Sequence, residues 1–137
     1  MSASAPAAPV ASNEWLARFI LQGSHLRQDR TVRPDAFIPH PYPDLSVTRH
    51  LQLGETQLWE IGKAIAESIP KKLHGRADVR AEVFEKQKLR VLAAPDASNP
   101  NHANVTGWPG EKSAQKSLAQ EISAEAGKAL EVPPELA

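Results

Sequence analysis

Asn99, Asn101, His102, Asn104 and Thr106 crowd into the nine residues before a Trp-Pro pair, Trp108 and Pro109. An imidazole can move protons, and side-chain amides can orient a carbonyl or a phosphate. Within this stretch His102 is the acid/base candidate, while Asn101, Asn104 and Trp108 are the ligand-binding candidates. The same residue types also build turns, because Asn tolerates left-handed backbone and hydrogen-bonds its own chain. A second cluster is "TRH", Thr48 to His50. Arg49 could bind an anion and His50 could shuttle a proton. In a strand, however, adjacent side chains point to opposite faces, so only one of the two can line a given pocket. Arg49 shares a face with Leu45 and Val47. If that face is the core, Arg49 needs a carboxylate, for which Asp44 and Asp35 are the nearest candidates.

Other chemistries find no frame. The five His are His25, His40, His50, His74 and His102, and no two lie at i, i+4 on an expected helix. A set such as His40, His50 and His102 with Asp44 would have to be assembled by the fold. Hydrogen-bonded structural His is the better account, so no metal and no cofactor is expected. There is no P-loop, no GxGxxG and no GxSxG. "HGRADV" leads into a strand rather than a helix, so it offers no helix terminus for an anion.

The chain has 137 residues with 16 basic and 16 acidic side chains. Length allows one domain. Zero net charge argues against a strongly basic nucleic-acid binder. Lys63 to Arg90 nevertheless holds eight Lys or Arg, and a local basic face there would be the nucleic-acid alternative. Cysteine is absent, which removes disulfides, thiolate metal sites and a Cys nucleophile. No apolar run approaches the roughly 20 residues of a membrane span. The start lacks a basic and then apolar leader pattern, so a cytoplasmic protein is expected.

The candidate groups must be positioned by the elements around them. Residues 1–12 are almost all Ala, Ser and Pro and are expected to be disordered. Leu16, Phe19 and Ile20 suggest a first helix starting near Ser12 or Asn13 and stopping at Gly23. "AFI" between Pro34 and Pro39 suggests a brief extended segment. "LSVTRH" alternates as a strand. Leu58, Ile61, Ile65 and Ile69 form one stripe of a helix ended by Pro70, and Gly62 allows a neighbour close approach. Ala77, Val79, Ala81 and Val83 alternate as a strand. "KLRVLAAP" is its expected hairpin partner, with Val83 opposite Leu89 and Glu82 opposite Arg90. Asn99 to Trp108 is then a loop. A last helix starts near Pro109, with Ala114, Leu118, Ile122, Ala126 and Leu130 on its buried stripe. The expected fold is α+β: three helices on a small antiparallel sheet of three or four strands, in the order α-β-β-α-β-β-α. One domain spans 13–130, and 131–137 is a frayed tail.

"PDAFIPHPYPDLSVTRH", "LWEIGKAIA", "GRADV" and "NPNHANVTGWP", in that order, resemble a family of small uncharacterised bacterial proteins. The resemblance covers roughly Arg18 to Ile122. It implies a bacterial origin and a free-standing small domain, with no activity or catalytic residue to carry over. The expected function is an accessory or interaction module with a protein partner. The alternative is a small hydrolase, or a phosphodiester- or nucleotide-processing enzyme. It would use Arg49, His50 and His102 for chemistry and Asn101 or Asn104 to orient substrate.

Overall fold

A computed structural model describes residues 8–136. Five strands form one antiparallel sheet in the order β3-β1-β2-β5-β4. They are β1 (Trp15–Ile20), β2 (Leu45–Arg49), β3 (Gly75–Arg80), β4 (Arg90–Ala93) and β5 (His102–Thr106). The helices are α1 (Glu55–Ser68), α2 (Ala81–Glu85) and α3 (Lys112–Ala126). The α+β class holds, with five strands rather than three or four and the order β-β-α-β-α-β-β-α. The expected disorder of 1–12 lies outside the described residues up to position 7. From Ala8 to Val10 the chain runs beside β4, and Val10 is buried.

The first element is a strand, not a helix. β1 is central and pairs with β3 from Trp15↔Arg80 to Ile20↔Gly75 and with β2 at Leu16↔Arg49. Both its faces are covered, so its apolar residues do not alternate with polar ones. A short run of that kind reads equally well as a buried helix. This placement also displaces the expected hairpin. β3 takes β1 as its partner, β4 pairs with β5, and Ala81 to Glu85 turn into α2 rather than extending the strand. The turn is anchored by Ala81 and Glu82, whose N–H groups donate to Glu14 O and Ser12 O.

Three local corrections follow. Pro34–Phe37 is a 3-10 turn rather than an extended segment, as its proline at the first position permits. Gly23 opens a 3-10 turn rather than ending a helix. α3 starts at Lys112, and its buried side is Gln115, Ala119, Ile122 and Ser123, rotated from the expected stripe. Gln115 tolerates burial because its Nε2 donates to Pro109 O at 2.8 Å. Leu130 lies outside the helix and pairs with Arg76 along the outer edge of β3.

The core lies mainly on one face of the sheet. There Leu16, Ile20, Val47, Val79 and Val105 pack with Phe37, Phe84 and Ile122 from the 3-10 turn, α2 and α3. On the other face, Ala17 and Phe19 meet Leu58 of α1. β2 and β3 run parallel with β1 between them, and α1 makes the crossover, a split β-α-β unit. At Gly62 α1 packs directly on the Phe19 ring of the sheet. A Cβ there would sit 2.5 Å from the Phe19 ring.

Candidate functional site

Asn99 to Trp108 is half turn and half strand. Asp96 accepts hydrogen bonds from the N–H groups of Ser98 and Asn99 and from the Ser98 hydroxyl. These bonds, led by the Ser98 hydroxyl, hold its carboxyl below the usual range. Buried Asn99 donates to Thr48 Oγ1 at 2.9 Å and accepts from the Asn101 N–H. Asn101 Nδ2 donates to Arg49 O at 2.9 Å. The His102 ring sits 2.9 Å from Ala94 O through Nδ1, and that contact is a hydrogen bond when Nδ1 carries the proton. Trp108 Nε1 donates to Val105 O, and its ring packs on the core. These side chains close the β4–β5 connection and tie it to β2. Asn104 is opposite Ser46 and Leu92 in the sheet, and its amide has no partner among the described residues.

Arg49 follows the core face of β2, and the carboxylate it needs is Glu14. Nε and Nη2 meet Glu14 Oε1 and Oε2, each at 2.9 Å. The Arg49 hydrogen bond chiefly holds the Glu14 carboxyl below its ordinary value. His50 points to the opposite face and reaches across β1 to β3. Its Nε2 lies 3.0 Å from Asp78 Oδ1. His102 turns toward the end of β4. Arg49, His50 and His102 therefore do not meet in one pocket.

His50 belongs to a different constellation. Arg76 is 1% exposed and contacts Asp78 with Nε at 2.8 Å and Nη2 at 2.7 Å. Its other contacts are Glu55, at 3.0 and 3.1 Å, and the face of Trp59 at 4.9 Å. Burial pushes the Asp78 carboxyl up, but bonds from His50 and Arg76 outweigh it and leave the group below its ordinary value. A shallow cleft of 400 Å³ adjoins this pair, lined by Trp15, His50, Asp78, Lys128 and Leu130. An imidazole oriented by a carboxylate is the arrangement of a general base. No nucleophilic Ser or Thr lines the cleft, and its walls are mostly apolar.

A larger cavity, 590 Å³, lies elsewhere, at residues the sequence did not single out as a site. It opens where the end of β1, the start of β2 and the segment from Ile38 to Asp44 converge. Arg18 of β1 reaches its wall. Nε donates to Ala36 O at 2.8 Å and Nη1 to Ser46 O at 3.0 Å. Among the described residues Arg18 makes no ion pair, and burial lowers its pKa to about 10. His25 beside it is also held below its ordinary value, first by burial and then by the Arg18 charge. The sequence signal for Arg18 was a single charge between Leu16 and Ile20 on one strand face. It emerges only once β1 is read as a strand.

The basic residues from Lys63 to Arg90 do not share one face. Arg76 is buried, Arg80 stacks on Trp15, and Lys86 pairs with Glu125. Among the described residues, no three His, Asp or Glu are placed to hold a metal. No helix is long and apolar enough to cross a membrane. No family model, curated protein or solved structure matches the chain.

Proposed function

We propose that this chain acts by binding, as a small bacterial and cytoplasmic accessory or interaction module with a protein partner. One observation carries the reading. Of the candidate catalytic and ligand-binding side chains, Arg49, Asn101, His102 and Trp108 each hold another part of the same fold. General acid/base chemistry needs such groups directed at one substrate atom.

The enzyme alternative keeps one specific support, the His50–Asp78 pair beside its cleft. Incubation with a bacterial metabolite extract, followed by mass spectrometry of the whole pool, separates the two. The binding reading expects no compound to be consumed by the wild-type protein or by a His50→Gln variant. A compound consumed by the wild type and spared by His50→Gln overturns it in favour of an enzyme.

A further inference from the structure

The Arg18 guanidinium has more binding capacity than the fold uses. It carries five N–H groups. One on Nε and one on Nη1 are taken by Ala36 O and Ser46 O, which leaves three. Nη2 has no partner, and it is not among the fully buried unpartnered atoms, so solvent reaches it. A partly buried guanidinium commonly pairs with a carboxylate. Among the described residues Arg18 has none, and no acidic group contributes to its pKa. Asp44 lines the same cavity without forming an ion pair.

The rest of the cavity wall mixes apolar groups with Gln22, His25, Asp44 and Lys71. Leu21 and Ile38 line it, together with two of the exposed large hydrophobic side chains among the described residues, Tyr42 at 71% and Ile69 at 48%. Arg18 and Lys71 with Asp44 give the wall one net positive charge, and exposed apolar groups beside it complement a ligand with one negative charge and an apolar body. A planar carboxylate matches the guanidinium fork. The Asp44 carboxylate on the wall opposes a doubly charged phosphate head.

We infer that the Arg18 cavity is a binding site for an amphipathic carboxylate, whose head meets the free edge of the guanidinium and whose apolar body covers Ile38, Tyr42 and Ile69. This site extends the binding reading and does not depend on which macromolecule the module contacts.

The test is a titration of the full chain, followed by amide NMR, with four probes: octanoate, octanol, acetate and octyl phosphate. Octanoate is expected to bind at least tenfold more tightly than the other three and to shift resonances around Arg18, Gln22, Tyr42 and Ile69. Arg18→Gln should reduce octanoate affinity at least tenfold. Arg18 also straps two segments together, and where Arg18→Gln fails to fold a second variant carries the test. Tyr42→Ser with Ile69→Ser, both exposed, is the second variant and should weaken octanoate several-fold with the fold intact. Equal binding of octanol removes the role of the charge, and equal binding of acetate removes the role of the tail. Tighter binding of octyl phosphate overturns the carboxylate assignment. Octanoate shifts confined to another surface, or no shifts at all, overturn the site. None of these results bears on whether the chain consumes a substrate, so the binding reading stands or falls separately.

Discussion

Arg76 and Asp78, two residues apart on β3, face the same side of the sheet and bind each other through two nitrogens and two oxygens. The pair is the inner end of a chain that continues outward to His50 and Glu55. Removing one partner of a buried pair leaves the other uncompensated, which costs about 3–5 kcal/mol when both are fully buried. Glu55 is largely solvated and Asp78 partly so. Arg76→Met should therefore cost about 3 kcal/mol in urea unfolding, at the lower end of that range. A loss below about 1 kcal/mol would show that the network is not a stabilising element.

Gly62→Ala tests the contact between α1 and the sheet. Alanine favours a helix over glycine by about 1 kcal/mol. Here the new methyl would meet the Phe19 ring at 2.5 and 2.6 Å. Overpacking of this kind costs about 1–3 kcal/mol. The expected result is net destabilisation, relieved when Phe19→Leu is added. Gain of stability in the single variant would mean that Phe19 swings aside freely.

Asn99→Ala removes the buried bridge to Thr48 and the acceptor for the Asn101 N–H. Leaving such groups unsatisfied costs about 1–3 kcal/mol. Hydrogen exchange should rise first in the β4–β5 connection and then at the Thr48 end of β2. Uniform protection across both strands would argue that the bridge is dispensable.

Acid should weaken the fold in two stages. His25 and His74 have folded pKa values below 6.5, first because burial disfavours the charged ring. The unfolded chain thus takes up protons before the folded one does. The stability these groups contribute is complete above pH 6.5 and falls as pH drops toward their folded values. Glu14 and Asp78 act lower, with stability present above the ordinary carboxylate range and lost as pH falls through their depressed values. Urea midpoints measured against pH should decline from about pH 6.5, and a His25→Gln, His74→Gln double variant should flatten that first stage. An unchanged profile in the double variant would assign the first stage to other groups.

Local signals were readable where one residue pattern had one solution. β2 alternates, and α1 repeats Leu58, Ile61 and Ile65 at helical spacing, so both were legible. β1 was not, because a strand covered on both faces loses its alternation and Leu16, Phe19 and Ile20 fall equally on a helix face. The hairpin error follows from that one. Without β1 as a strand, β3 has no neighbour except the next apolar segment, and Val83 opposite Leu89 is a sound local register. Pairing between distant segments is decided by competition across the whole sheet, which no window reveals. The same gap hid the cavity, since Arg18 becomes noticeable only as an inward-facing charge on a strand. The Asn99–Trp108 stretch was legible as a polar connection, but its second half hydrogen-bonds to β2 and β4 over sequence distances that the local turn signals do not encode.

Both rims of the sheet are partly covered by segments far from them in the chain, Ala8 to Val10 beside β4 and Leu130 at Arg76 of β3. During synthesis these covers arrive at opposite times. The guard of β4 emerges before its strand exists, whereas β3 emerges about fifty residues before Leu130. For that interval the N–H and C=O row on the outer side of β3 faces solvent, a template for strands of neighbouring nascent chains. The segment at Leu130 is therefore a late clasp on β3, and it closes only after the rest of the sheet has been made.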